Sequence, residues 1–287
     1  MTWGERLKTT QRKKFKNVSK YIFRDILLFV ILTWAVFPVF WMFLMSLKRK
    51  VDALAMPPKW IFQPILDNYV EVFALQRFTQ FYVNSLVVGF ASVALVLIIG
   101  VPASYTLSRI SFKGKKNVDF WILTTRMAPP IGVLIPFFLI FRTLNLLDTK
   151  IALIAMHVAI NLPFAIWIMK GFFAEVPKEI EEASLIDGCS YWKSFLRITL
   201  PLVLPGVAAT AIIVFLLSWN ELLFAVTLTG LQSKTAPVAL YNFVSYEEIS
   251  WGPLSASAIV ALVPVILFII LLQKQLIRGL TFGAISK

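Results

Sequence analysis

The chain has 287 residues, of which 59% are hydrophobic, 14% aromatic and only 15% charged. Soluble domains of this length carry more charge and fewer apolar residues, so these proportions exclude the soluble classes and indicate a polytopic membrane protein. Its 28 basic and 15 acidic residues give a net charge of +13, and because most basic residues lie beside apolar segments, we attribute the excess to membrane topology and lipid headgroups rather than to nucleic acid.

A basic segment over residues 1–25 precedes the first apolar run and carries eight lysine and arginine residues. No small-residue cleavage site follows that run, so we expect it to remain as a signal anchor. The predicted organisation is a cytoplasmic segment over 1–25, a transmembrane domain over 26–273 that includes the polar loop 177–206, and a cytoplasmic tail over 274–287.

Six apolar stretches are long enough to cross the ~30 Å of bilayer hydrocarbon as helices. They lie at 26–45, 81–107, 118–141, 151–169, 202–228 and 253–272. Barrel strands are excluded because the stretches lack alternating polar and apolar residues. The sequence therefore predicts an all-α polytopic membrane protein with six transmembrane helices.

The distribution of lysine and arginine predicts the orientation of these helices. The N-terminus, loop 108–117, loop 170–201 and the C-terminus together carry 19 basic residues, and the loops on the opposite side carry 8. We therefore expect both termini and loop 170–201 in the cytoplasm. The cluster Lys48-Arg49-Lys50 opposes this orientation, because it follows the first span on the expected outer side.

Two loops on the expected outer side contain aromatic residues. They are Trp60 and Phe62 in loop 46–80, and Tyr241, Phe243, Tyr246 and Trp251 in loop 229–252. Those of loop 229–252 are typical of the membrane–water interface, with a docking surface for an external partner as the alternative, whereas loop 46–80 is predicted to be an ordered surface segment. A short helix is predicted near 68–75.

The third span contains Pro129, Pro130 and Pro136, each of which removes a backbone donor from the helix. We therefore predict a kink or a break in this span. Non-helical backbone at membrane depth is tolerated only against protein or a cavity. This favours a translocation pathway near the break, and a plain structural kink is the alternative.

Among the polar side chains inside predicted spans, where such groups are costly and typically face a cavity or a partner, five stand out. They are Arg126 in the third span, His157 and Asn161 on one face of the fourth, and Asn220 and Glu221 late in the fifth. One interpretation is a pathway lining that hydrogen-bonds hydroxyl-rich substrates. The other is hydrogen bonding between helices without substrate contact, and for Arg126 a pairing with Glu221 is a further alternative.

The polar loop 177–206, between the fourth and fifth spans, predicts a helix, a turn and a second helix. Pro177 suits the first helical position, where no amide donor is needed. Negative charge in the first turns is favoured by the helix dipole. Three acidic residues lie there: Glu179, Glu181 and Glu182.

Ala183 and Ser184 are small, so we expect them to let another surface approach closely. Gly188 permits the turn, and Ser190 or Asp187 is expected to cap the second helix. The apolar stripe of that helix consists of Phe195, Leu196 and Ile198. These features favour docking to a protein in the aqueous phase. A helix pair lying on lipid headgroups is the alternative, although an acidic first helix fits anionic lipid poorly.

Residues 182–206 resemble the EAA loop of bacterial ATP-binding-cassette importers. The common pattern is Glu-Ala-Ala, then Asp-Gly-Ala, a later Phe, Leu-Pro and a second Pro. This chain departs from it at Ser184 and Cys189, where the pattern has alanine. The chain matches at Glu182, Ala183, Asp187, Gly188, Phe195, Leu200, Pro201 and Pro205.

Further segments are similar to the MalG-type permeases of carbohydrate-uptake importers. They are Met127-Ala128-Pro129-Pro130, Leu146-Leu147-Asp148-Thr149, Ser218-Trp219-Asn220-Glu221 and the tail at 278–284. The resemblance implies a type I importer fold with a cytoplasmic coupling loop. It further implies that the residues that couple the chain to an ATPase are Glu182, Ala183, Ser184, Asp187, Gly188 and Phe195.

The same resemblance implies a permease for a sugar or related polyol in a bacterial inner membrane. The implied partners are a second, homologous permease in a heterodimer, two ATPase subunits and an extracytoplasmic substrate-binding protein. ATP and Mg²⁺ are then bound by the ATPase subunits, and this chain needs no cofactor.

The chain contains no P-loop motif, so we expect no ATP hydrolysis by this chain and classify it as no enzyme. With a single histidine, His157, and a single cysteine, Cys189, we expect no metal site, catalytic dyad or internal disulfide. A gradient-driven secondary transporter or channel is the alternative, but it leaves loop 182–206 unexplained. An intramembrane enzyme would need a nucleophile and base that the chain does not offer.

Overall fold

The computed structural model describes residues 3–75, 77–245 and 249–281, and side chains within 21–74, 77–245 and 249–270. The basic side chains before residue 21, Tyr246 and the side chains of the tail motif at 278–284 lie outside the described residues. Within these ranges the backbone forms helices, turns and one antiparallel bridge between Val244 and Ile249. The predicted all-α class is therefore confirmed.

Ten helices, labelled α1 to α10 in chain order, form the framework of the described residues. They are α1 Trp3–Ser46, α2 Phe78–Arg109, α3 Lys115–Thr125, α4 Pro130–Thr143, α5 Lys150–Glu175, α6 Lys178–Ile186, α7 Tyr191–Leu202, α8 Leu204–Trp219, α9 Leu223–Leu228 and α10 Trp251–Thr281. Shorter helical turns lie at Lys50–Ala53, Asp67–Val70, Glu71–Leu75, Ala236–Ala239 and Leu240–Phe243. Those at Asp67–Val70 and Glu71–Leu75 confirm the helix predicted near 68–75.

Four helices have the length and composition of membrane spans by themselves, namely α2, α5, and the stretches Tyr21–Ser46 of α1 and Trp251–Ile270 of α10. Two bent pairs bring the candidate spans to six if each pair counts as one, although the first helix of the second pair, α7, lies in the predicted polar loop 177–206. The axes of α3 and α4 differ by 92°, and those of α7 and α8 by 75°. The predicted break in the third span is confirmed, since α4 begins at Pro130.

The fifth span ends earlier than predicted. We expected it to continue to residue 228, but α8 ends at Trp219 and a separate helix, α9, begins at Leu223. The physical reason is the Glu221 carboxylate, which accepts hydrogen bonds from the backbone nitrogens of Phe224 at 2.9 Å and Ala225 at 3.0 Å. These bonds satisfy the first amides of α9 and make a new helix start favourable.

Contacts group the chain into two compact units, Met1–Tyr69 with Ser250–Ile259 and Val70–Ile249 with Val260–Lys287. In the first unit, one residue of the basic cluster that opposed the predicted orientation is buried. Lys48 is only 1% exposed. Its ammonium donates to the carbonyl oxygen of Lys59 at 2.7 Å and lies 4.7 Å from the Trp41 ring centroid. A buried ammonium needs such partners. Lys48 is therefore packed inside this loop and is not an exposed charge of the kind that indicates membrane orientation.

In the second unit, α2, α5 and α8 pack together. One buried cluster joins α2 and α5 to α7 and the following turn: Val101, Tyr105, Met169, Phe173, Phe195 and Val203. Helix α8 approaches α5 closely at Gly206, where an added Cβ would lie 2.4 Å from the Phe172 ring. This packing places the polar loop after α5 directly against the end of α2.

Candidate functional site

Residues 177–202, which we name the hook, consist of α6, a turn and α7. Pro177 directly precedes α6, and Asp187 ends it. The turn contains Gly188, whose φ of +87° lies in the left-handed region that favours glycine. The Ser190 side chain then caps α7 by accepting a hydrogen bond from the backbone nitrogen of Lys193 at 3.3 Å. Of the two predicted caps, Ser190 is the one used.

Glu181 anchors the hook to the end of α2. Its carboxylate accepts hydrogen bonds from the Arg109 guanidinium at 2.8 Å, the Tyr105 hydroxyl at 3.3 Å and the Thr199 hydroxyl at 3.1 Å. Arg109 also donates to the carbonyl oxygen of Val176. Sequence reasoning counted Glu181 only as a first-turn acid and missed Arg109, because the two residues are 72 positions apart.

The six residues predicted to couple the chain to an ATPase divide between two faces of the hook. Ser184 and Phe195 point inward. The Ser184 hydroxyl donates to the Ser194 hydroxyl at 2.7 Å, and the Phe195 ring centroid lies 4.7 Å from that of Tyr105. The expectation that Ser184 leaves room for another surface is therefore wrong, because this side chain holds α6 against α7. The exposed members are Glu182, Ala183, Asp187 and Gly188.

The outer side of the hook also carries large apolar side chains that sequence reasoning did not select. Ile186 is 87% exposed, Tyr191 68% and Trp192 59%. Leu196, predicted as part of the inward stripe with Phe195, is exposed as well. Exposed apolar groups clustered in this way mark interaction surfaces, so the hook offers a docking face beside its exposed acidic residues.

Replacement of Gly188 by valine is expected to destabilise the hook by about 1–2 kcal/mol, because a β-branched residue is strained at positive φ. No atom lies within 4 Å of an added Cβ there, so backbone strain, not a clash, is the cause. Asparagine tolerates this region better, and Gly188→Asn serves as the matched control. Protease resistance of the hook in the purified protein measures both variants, and equal losses would contradict the explanation.

The polar side chains of α5 meet the end of α8. His157, 1% exposed, places Nε2 at 3.5 Å from a carboxylate oxygen of Glu221. One turn further along α5, the Asn161 amide donates to the Ser218 hydroxyl at 3.2 Å. The alternative pairing of Arg126 with Glu221 is wrong, because Glu221 faces His157 and the amides that begin α9. Asn220 instead donates to the carbonyl oxygen of Leu216 at 2.9 Å.

Arg126 lies in the break between α3 and α4 and lines a cavity of about 540 Å³. Its guanidinium donates to the carbonyl oxygen of Ile160 at 3.2 Å and lies 4.8 Å from the Phe164 ring centroid. The structure therefore places His157 beside Glu221 and Asn161 beside Ser218, in two separate contacts, and keeps Arg126 apart from both.

Asp148 ties the loop after α9 to the turn before α5. Its carboxylate accepts hydrogen bonds from the backbone nitrogens of Gly230 at 2.8 Å, Gln232 at 3.2 Å and Ser233 at 2.9 Å, and from the Ser233 hydroxyl at 2.8 Å. Partial burial raises the pKa of this carboxyl, but the donors from Ser233, Gly230 and Gln232 outweigh burial and hold the pKa below its usual range. The resemblance segment 146–149 contained this residue, but nothing in the sequence indicated its partners.

A carboxyl whose pKa is lowered by folding stabilises the protein above its unfolded pKa and loses that effect as the pH falls. We therefore expect the loop at 229–235 to open as the pH drops below the ordinary Asp148 value of 3.8. Asp148→Asn is expected to weaken loop attachment at neutral pH by about 1–3 kcal/mol. Hydrogen–deuterium exchange of the Gly230 and Ser233 amides measures this, with the exposed Asp187→Asn as control. Unchanged exchange in Asp148→Asn would contradict the assignment.

Among the described residues, no group of three or more His, Cys, Asp or Glu side chains is placed to hold a metal ion.

Comparisons with known proteins show which family of proteins the chain is similar to. The sequence profile of the family described as "Binding-protein-dependent transport system inner membrane component" matches residues 97–282. A probable ABC transporter permease protein of Sinorhizobium fredii is 41% identical over 250 residues, which cover 87% of this chain and 90% of that protein. The trehalose transport system permease protein SugB of Mycobacterium tuberculosis is 34% identical over 263 residues, covering 90% and 94%.

Solved structures share the fold. A chain of a bacterial ABC transporter involved in the import of the acidic polysaccharide alginate superposes with a TM-score of 0.75 at 24% identity, covering 90% of this chain and 97% of that one. A chain of the MetNI methionine ABC transporter gives a TM-score of 0.57 at 18% identity, covering 68% and 93%. The resemblance noted at residues 182–206 is thereby confirmed, and with it the type I importer fold. The chain belongs to the family of binding-protein-dependent transport system inner membrane components.

Proposed function

We propose that the chain is the permease subunit of an ATP-driven importer and forms half of the transmembrane pathway for a sugar or related polyol. Relatives named as permeases for trehalose, diacetylchitobiose and sulfoquinovosyl glycerol support this substrate class. The observation that carries the proposal is the hook, which has an exposed apolar face and is anchored by a buried ion pair to a membrane-spanning helix.

In this proposal a cleft of the ATPase grips the outer face of the hook, at Glu182, Ala183, Asp187 and Gly188. Closure of the two ATPase subunits on ATP and Mg²⁺ moves the hook, and the Arg109–Glu181 ion pair passes the movement to α2. A partner that binds one orientation of the hook more tightly biases one state of the pathway. Gly188→Pro or a bulky side chain at position 183 is therefore expected to uncouple transport from ATP hydrolysis.

The remaining partners are a second, homologous permease and an extracytoplasmic binding protein, with both termini of this chain in the cytoplasm. Arg126, His157, Asn161, Asn220 and Glu221 are proposed to lie along the pathway. Their contacts support two roles: the His157–Glu221 contact and the Asn161–Ser218 hydrogen bond join α5 to the end of α8, whereas Arg126 lines a cavity.

Purification of the intact complex from membranes tests the proposal. We expect ATPase subunits and a second permease chain to co-purify, and reconstituted vesicles to take up a sugar only when ATP is supplied on the hook side. Transport by this chain alone, driven by an ion gradient, would favour the secondary transporter instead and overturn the proposal.

A further inference from the structure

The cavity beside the third-span break holds a cation without an acidic partner. Arg126 makes one hydrogen bond, to the carbonyl oxygen of Ile160, and stacks over Phe164. No carboxylate of the described residues lies within ion-pair distance of its guanidinium. Arg126 is exposed, and a guanidinium carries five donors, so the described residues use only a small part of its hydrogen-bonding capacity.

Two acids near the break, Asp119 and Glu221, are already engaged. Asp119 of α3 forms an ion pair with Lys170 at 2.5 Å. Glu221 faces His157 and accepts hydrogen bonds from the first amides of α9. Neither carboxylate is available to Arg126. A charge at membrane depth that its own chain leaves uncompensated typically faces a functional partner.

A second positive feature lies at the same cavity. Helix α4, which has 14 residues, begins at Pro130, and both Pro130 and Ala128 line the cavity with Arg126. The N-terminus of a helix carries partial positive charge, although Pro130 has no amide hydrogen and the Gly132 amide donates to the carbonyl oxygen of Pro129. The helix end therefore adds only a partial charge to the full charge of the guanidinium.

The rest of the cavity suits a small organic molecule. Its volume of about 540 Å³ falls in the range of ligand pockets. Apart from Thr125, its other walls are apolar and include Val133, Phe137, Met156 and Phe224. Such a site combines an anion-binding corner with a surface against which a sugar ring can pack.

We infer that this cavity is a binding site on the transport pathway for a sugar or polyol derivative that carries an anionic group, such as a carboxylate, sulfate or phosphate. Arg126 binds the anion, and Phe137 packs against the ring. This inference rests on the proposed function and narrows its substrate class. A neutral sugar leaves the Arg126 charge uncompensated, which is the physical reason for preferring an anionic one.

Labelling of a single thiol in the cavity tests the inference in the whole importer. Ala159 is exposed and lines the same cavity. Cys189→Ser removes this chain's only cysteine, and Ala159→Cys adds one, which is labelled with uncharged N-ethylmaleimide and read by the mass of this chain. Glucuronate, glucose 6-phosphate and glucose are added at equal concentration. We expect the two anionic probes to slow labelling about tenfold more than glucose, and Arg126→Gln to abolish this difference while Arg126→Lys retains it.

Two labelling results would overturn the inference: equal protection of the thiol by glucose and by the anionic probes, or a difference in protection that survives Arg126→Gln. A third is a thiol that does not react with N-ethylmaleimide whether or not ATP is present, because the partner permease then fills the cavity. ATP-driven sugar uptake is measured in the same vesicles. Uptake without any preference for anionic probes contradicts only the substrate class, whereas absence of all ATP-driven sugar uptake contradicts the proposed function itself.

Discussion

The Glu181→Ala variant is expected to lose about 3–5 kcal/mol of unfolding free energy, because it leaves the Arg109 guanidinium buried without its charge partner. The ion pair measures 2.8 Å, and the two side chains are only 7% and 11% exposed. Tyr105 and Thr199 lose an acceptor at the same time. Thermal unfolding of the purified protein in detergent, with protease sensitivity of the hook, measures the loss.

The adjacent Glu182→Ala variant is the matched control. Glu182 is exposed, so its removal is expected to change stability by no more than about 0.5 kcal/mol. Glu181→Gln, which keeps an oxygen acceptor but removes the charge, is expected to fall between the two alanine variants. Equal stability of Glu181→Ala and Glu182→Ala would show that the Arg109 ion pair does not anchor the hook.

The Ala183→Trp variant is expected to reduce ATP-driven transport and ATPase association about 30-fold, the effect of losing a contact of about 2 kcal/mol at the centre of an interface. Ala183 is exposed, and Ile186, one turn later on the same side of α6, is 87% exposed. A tryptophan at position 183 sterically prevents the close approach of the ATPase surface without disturbing the interior of the hook. Co-purification of ATPase subunits and uptake into vesicles measure the effect.

Ala94→Trp provides the corresponding control, because Ala94 is an exposed alanine in the middle of α2 and far along the chain from the hook. The unfolding temperature of Ala183→Trp is expected to match that of the wild type, which separates a docking defect from misfolding. Wild-type transport and full ATPase association in Ala183→Trp would mean that this face of the hook is not the coupling surface.

The Glu181→Ala and Ala183→Trp variants test two different roles of α6, namely attachment of the hook to α2 and docking of the hook to an ATPase. Residues 181 and 183 lie on different faces of α6, since consecutive helical residues are about 100° apart. Glu181 points toward α2, and Ala183 points to the outside. Loss of the Glu181 carboxylate lowers the stability of the protein, whereas a bulky residue at position 183 leaves the fold intact and interferes with binding of the ATPase.

Several features could be predicted from the sequence because their causes are local. The lengths of the apolar stretches indicated which segments can span a membrane, and the prolines at 129 and 130 predicted the break between α3 and α4. The turn at Gly188 followed from the left-handed backbone that glycine tolerates. The spacing of the residues at 182–206 was sufficient to indicate the family, because that pattern depends only on positions along the chain.

Pairings between distant residues could not be predicted in the same way. The Arg109–Glu181 and His157–Glu221 contacts join residues that are far apart in the chain, and Arg126 was given Glu221 as an alternative partner that it does not have. Polarity indicates that a buried group needs a partner. It does not indicate which one, because that depends on how the helices are rotated and stacked.

The sequence by itself therefore determined the helical membrane class, the helix–turn–helix hook and the interrupted third span, all of which arise from residues that are neighbours in the chain. Only the tertiary structure decided that Glu181 rather than Glu182 is the anchor, that Ser184 faces inward and that Lys48 is buried beside Trp41. The physical reason is that the burial of a polar side chain depends on which other helix covers it, and packing rather than local propensity sets that choice.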